Sequence, residues 1–166
     1  DGTYVTGVTT SYASWFFMGN TKLEDSNPFG YLSFIENTTA TSISSKNTYE
    51  KVAGNNYTSK GELFDTNSLN NHLRYTGTKE LKVQVKCSGV FTAASTNKNV
   101  WLAVLKNGTT QVCKTRVKPR STTTDYNFSV MGEIKMEEND YLELFVKTQG
   151  ATFNVTVSDM QFKVDD

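Results

Sequence analysis

From Leu81 to the C-terminus, apolar side chains recur at every second position. Leu81, Val83, Val85, Cys87 and Phe91 alternate with Lys82, Gln84, Lys86 and Ser88. Only an extended strand repeats with period two, so one face of each such run is set aside for a core. Tyr126, Phe128, Val130, Ile134 and Met136 line one face of a second long run, and Phe153, Val155 and Val157 one face of the last. The phase then flips to Met160, Phe162 and Val164. A flip of that kind predicts a bulge near Ser158 and Asp159.

Between these runs lies Leu105-Lys106-Asn107-Gly108-Thr109. Both Asn and Gly tolerate positive φ, so Asn-Gly between two strand-like runs predicts a hairpin turn. Glu137-Glu138-Asn139-Asp140 and Gln149-Gly150 read as further turns. The first half is less regular. Residues 31–35, 48–52 and 72–75 look like short strands among polar loops, and no helical pattern is long enough to predict a helix. Strands joined by short turns predict an all-β domain, a sandwich, jelly roll or barrel. Residues 1–30 read as an N-terminal extension or a connection to a stalk, packed on a domain of residues 31–166. The start at Asp1 rather than Met leads us to expect a processed or shortened product.

Residues 100–105 and 141–146 read as apolar on both faces. A strand on a solvated sheet should alternate, and a large bare apolar patch is unusual on a monomer. We therefore expect a homo-oligomer, with Trp101, Leu105, Tyr141 and Phe145 in the contact between copies.

Seventeen basic residues balance seventeen acidic ones. No global field is present to draw in nucleic acid. The longest purely apolar run, Trp15 to Met18, is far too short for membrane insertion as a helix. Two cysteines, Cys87 and Cys113, fall inside strand-like runs and are expected as buried free thiols, not as a metal or redox motif; a disulfide between them stays open, since it turns on a Cα separation under about 7 Å that sequence does not give.

Catalytic groups are sparse. His72 is the one histidine, and no Gly-x-Ser-x-Gly elbow supplies a nucleophile, so His72 is expected as a polar turn residue. The stretch from Asp65 starts like a calcium loop but carries Leu69, Asn70 and Thr76 where ligands or glycine are needed. Residues 54–60 lack the second glycine of a phosphate loop. We expect no catalytic residue, no metal and no cofactor. Sequons at Asn37, Asn56, Asn107, Asn127 and Asn154 carry little weight in a chain this rich in Asn, Ser and Thr. Lys114, Arg116, Lys118 and Arg120 alternate along one strand and its exit. Such a row could meet acidic polysaccharide, blunt a strand edge, or pair with Glu133 and Glu143 across the sheet.

Several stretches taken in order resemble a known family. They are Thr41-Ser42-Ile43, Asn47-Thr48-Tyr49-Glu50-Lys51-Val52, Leu73-Arg74-Tyr75-Thr76-Gly77, residues 99–108 with their Lys-Asn-Gly turn, and Asn139-Asp140-Tyr141-Leu142-Glu143-Leu144. Together, over residues 31–164, they look like the TNF/C1q-like trimeric jelly-roll tip domains of bacteriophage and other viral fibres. The resemblance implies a jelly-roll sandwich of about eight to ten antiparallel strands. It also implies a homotrimer without catalysis, sited on a virion, binding a host-surface glycan or protein and meeting other virion proteins through its N-terminal side. It transfers no binding residues. A structural spike or decoration protein without a ligand, and a secreted C1q-like module, are the competing readings.

A binding end follows from strand direction. If strands from residue 81 onward alternate in direction, residues 92–98, 118–125 and 149–151 gather at one end and residues 107–110 and 137–140 at the other. The first end is rich in groups that hydrogen-bond sugar hydroxyls or carboxylates. Its candidate receptor contacts are Thr96, Asn97, Lys98, Lys118, Arg120, Ser121, Thr122 and Gln149.

Overall fold

The structure is a computed structural model that describes residues 27–55, 57–65 and 71–166. Among these residues there are eleven strands and no helix. In chain order they are β1 (Phe29–Phe34), β2 (Glu50–Lys51), β3 (Thr58–Glu62), β4 (Phe64–Asp65), β5 (Leu73–Tyr75), β6 (Leu81–Ala93), β7 (Asn99–Lys106), β8 (Thr110–Val117), β9 (Tyr126–Met136), β10 (Tyr141–Gln149) and β11 (Val155–Asp165). They form two antiparallel sheets. The five-stranded sheet has the order β3-β1-β11-β6-β9; the six-stranded sheet has the order β4-β5-β10-β7-β8, with β2 beside β10.

The period-two runs become the long strands, and their apolar faces meet between the sheets. Phe34, Phe91 and Phe162 from the first sheet close on Leu102, Val104 and Leu142 from the second. Each fully buried side chain of this size contributes roughly 1.5–3 kcal/mol through loss of apolar surface from water. The predicted bulge is present: the β6–β11 register slips between Val157 and Asp159. Gly89 sits opposite it, and a Cβ there would lie 2.1 Å from the Asp159 carbonyl oxygen. Only glycine lets the two backbones come that close. Asn107 and Gly108 both have positive φ, 54° and 69°, and turn β7 into β8 as expected.

The structure departs from the sequence reading in several places. β3 and β4 were not expected. β3 is Thr-Ser-Lys-Gly-Glu, mostly exposed, an edge strand paired only with β1 and carrying no apolar stripe to betray it. β2 is only two residues long. β1 begins at Phe29, inside the segment assigned to an extension; residues 1–26 of that segment lie outside the described residues, as does most of the calcium-like stretch, residues 66–70.

The premise for the oligomer contact also changes. Ala103 and Leu105 point away from the core, yet the single chain covers them, at 0% and 3% exposure. Trp101, Tyr141 and Phe145 are half-buried within the same chain. Two-sided burial of β7 and β10 therefore needs no sister copy. Both cysteines are free, Cys87 buried and Cys113 half-buried, and burial pushes both thiols above their ordinary range.

Candidate binding surface

Three connections meet at one end of the sandwich. The β6–β7 loop donates Asn97 N–H to the Pro119 carbonyl at 2.7 Å, joining it to the β8–β9 loop. Ala94 N–H donates to the Asn154 carbonyl at 3.0 Å, joining it to the β10–β11 loop. The β8–β9 loop is braced internally. The Tyr126 hydroxyl accepts the backbone N–H groups of Arg120 and Ser121, each at 2.8 Å, and the Ser121 hydroxyl accepts the N–H of Thr123. Asn97 holds a positive φ of 57°, which Asn tolerates better than most residues.

All eight candidate contacts fall on this end. Asn97, Lys98, Lys118, Arg120, Thr122 and Gln149 are exposed; Thr96 and Ser121 are half-buried. Gln149 is tethered, its Oε1 accepting from Asn99 Nδ2 at 2.9 Å and lying 3.4 Å from Trp101 Nε1. The opposite end is knotted by Asp140, which accepts from Lys106 Nζ, Asn107 Nδ2 and Glu137 N–H. Burial pushes the Asp140 carboxyl up, but those hydrogen bonds outweigh it and hold the carboxyl below its usual range. Asn107, Glu137, Glu138 and Asn139 at that end are exposed too, so what sets the first end apart is its exposed cations, Lys98, Lys118 and Arg120.

Next to the outward-facing end lies the outer face of the six-stranded sheet. Lys147 on β10 and Arg116 on β8 are the cross-strand neighbours of Trp101 on β7. Lys114, Arg116 and Lys147 stand 5.3, 5.5 and 5.7 Å from the Trp101 ring centroid. Lys147 also lies 4.4 Å over the ring of Tyr49. Of the three readings of the β8 cations, pairing with Glu133 and Glu143 does not occur: Glu133 pairs with Lys82, and Glu143 with Lys51. Sequence reasoning found the β8 cations but missed Tyr49 and Lys147. Neither stands out alone, because register between distant strands brings them together.

His72 departs from its expected place in a wet turn. It is half-buried, stacked on Tyr141 with ring centroids 5.3 Å apart, and its Nδ1 lies 3.9 Å from Glu143 Oε1. Burial lowers its pKa, against the pull of the Glu143 carboxylate. Asn37 is buried at 2% exposure, its amide donating to the carbonyls of Ala53 and Val157. In the folded chain it is closed to glycosylation. Among the described residues no group of three or more His, Cys, Asp or Glu could hold a metal ion. No helix among them is long and apolar enough to cross a membrane.

No family model matches the chain. No curated protein matches it either. Two solved structures of murine APRIL do. One, at pH 5.0, aligns with a TM-score of 0.56 and 9% identity, covering 85% of this chain and 100% of that one. The other, at pH 8.0, gives 0.52 and 9%, covering 83% and 99%. At such identity the likeness speaks to fold alone, and the fold is a TNF-like jelly roll of two antiparallel sheets.

Proposed function

We propose that the chain is a non-enzymatic binding head that works as a homotrimer, carried on a viral or bacteriophage particle, and that it engages a glycan or protein on the host surface. The carrying observation is the end of the sandwich where three separate connections are hydrogen-bonded together and still present Asn97, Lys98, Lys118, Arg120 and Gln149 to solvent. Loops fixed on a rigid β-scaffold are the usual place for recognition. The viral carrier is supported by the ordered motifs over residues 31–164, and the trimer by those motifs together with the TNF-like fold. The N-terminal side would then face the other virion proteins.

We assign the contact between copies to the five-stranded sheet instead of the half-covered face around Trp101 and Phe145. Met131 on β9 is 70% exposed and Ile35, just after β1, is 66% exposed. Between them run shallow hollows lined by Tyr31, Ser88, Asn127, Ser129 and Gln161. Uncharged polar side chains and two bare apolar ones, rimmed by Lys86, Lys163 and Asp159, suit packing of a second surface.

Sedimentation should give a particle near three times 18.5 kDa, and Met131→Glu should shift it toward the monomer. A monodisperse wild-type monomer at micromolar concentration would remove the trimer. Lys98→Ala with Arg120→Ala should weaken attachment to host cells without moving the melting temperature. Attachment unchanged by that pair would discard the loop end, and a head with no attachment at all would favour a structural spike.

A further inference from the structure

We infer that the outer face of the six-stranded sheet is a binding track for an acidic polysaccharide, centred on the cross-strand row Tyr49, Lys147, Trp101 and Arg116. The inference deepens the binding-head reading by giving its ligand a chemical class. It does not depend on a viral carrier or on trimerisation.

The row is built by register. Lys147 and Arg116 flank Trp101 from the two neighbouring strands, and Tyr49 lies beyond Lys147. Neighbouring strands are about 4.8 Å apart, so the two flanking cations stand roughly 10 Å from each other. Lys114 adds a third charge on the same indole. None of Lys114, Arg116 and Lys147 forms an ion pair with a carboxylate among the described residues. Three cations within about one Debye length of each other repel, and a chain needing only solubility would scatter them. Their positive field extends toward the loop end through Lys118, Lys98 and Arg120, all exposed. Of the acids on this face, Glu143 is buried at 6% exposure and engaged by Lys51, and Asp65 pairs with Arg74.

Charge explains an anion; the rest of the row explains a sugar polymer. Trp101 is a flat ring between the cations and Tyr49 a second at the end of the row, and the C–H face of a sugar ring packs on such a surface. Arg116 can take a carboxylate or sulfate through two parallel hydrogen bonds. Asn99 and Gln149, the next cross-strand pair outward, offer amides to hydroxyl groups. The row crosses three neighbouring strands and continues into the loop end, a run of sites suited to an extended chain.

The test uses the full chain, titrated with heparin as a sulfated polymer, polygalacturonate as a carboxylated one, neutral dextran, and poly-glutamate. At least one acidic polysaccharide should bind in a salt-dependent way, and dextran should not; which one binds separates sulfate from carboxylate. Lys114→Glu with Arg116→Glu should weaken that binding about tenfold or more. Trp101→Leu should weaken it several-fold while leaving the salt dependence in place. Lys82→Glu on the opposite sheet should leave it unchanged. In a Trp15→Phe background, the polymer should shift Trp101 fluorescence. Poly-glutamate binding as tightly as the polysaccharides, with Trp101→Leu silent, would overturn the inference, since any cationic surface does that. So would full binding by the double charge reversal with its fold intact. Host attachment that persists when the chain binds none of the acidic polymers would overturn this inference and leave the binding-head reading standing.

Discussion

The outer faces of the two sheets carry similar residue types in opposite arrangements. On the five-stranded sheet, Lys82 meets Glu133, Lys135 meets Glu80, and Lys86 and Lys163 share Asp165. On the six-stranded sheet, Lys114, Arg116 and Lys147 crowd one indole with no carboxylate between them. A net charge of zero averages these faces and hides both. Paired charges make a surface that tolerates another protein surface against it. Unpaired ones make a surface with a sign. The comparison teaches that global charge excludes less than it seems to when register can sort charges between two sheets.

The largest expected effect tests whether the two faces share one fate. Phe162 lies in the five-stranded sheet and is fully buried against the other. Phe162→Ala should cost about 3–5 kcal/mol by opening a cavity. The Trp101 signal and the far-ultraviolet circular dichroism should still melt together. Separate transitions would mean that the sheets are independent units. Next comes the ion pair of the cationic face that is sunk in the sheet. Glu143→Ala removes the acid that Lys51 and His72 both face and should cost about 1–3 kcal/mol in denaturant melts, because Lys51 can partly reach water. A loss below the error of the melt would show that the pair does not hold β2 to β10.

A smaller effect should appear with pH. Burial lowers the folded pKa of His72 beneath its ordinary value of 6.5. The unfolded chain then takes up a proton before the folded one, so stability falls as pH drops through 6.5 toward the folded pKa. His72→Gln should flatten that slope, and an identical slope in the variant would remove His72 as its source. The smallest effects should differ in sign between the faces. Lys114→Glu relieves crowding and should be neutral or stabilising by about 0.2–1 kcal/mol; Lys82→Glu should destabilise by a similar amount. Both differences should shrink in high salt.

Much of the second half was legible because each long strand has one wet face and one dry face. The Asn107–Gly108 hairpin and the bulge before Asp159 were readable for the same reason: each interrupts a clear alternation. β3 was not, since an edge strand of Thr, Ser, Lys, Gly and Glu obeys no burial pattern. The gathering of loops at one end followed from strand direction alone. The aromatic and cationic row did not, because Tyr49 and Arg116 are distant in the chain and only the register of β10, β7 and β8 aligns them. Two-sided apolarity of β7 and β10 did not by itself require a partner, for a related reason: Ala103 and Leu105 are covered within the chain. Sequence shows that a face is apolar, not that the same chain folds back to cover it.

β11 follows every other described strand in chain order, yet it lies inside its sheet, bonded to β1 on one side and β6 on the other. While the ribosome still holds it, β1 and β6 have an empty lane between them, and the sandwich cannot shut. The sandwich should therefore shut late and abruptly: nascent chains stalled before Val155 would remain open to proteases, and emergence of β11 from the ribosome would close them.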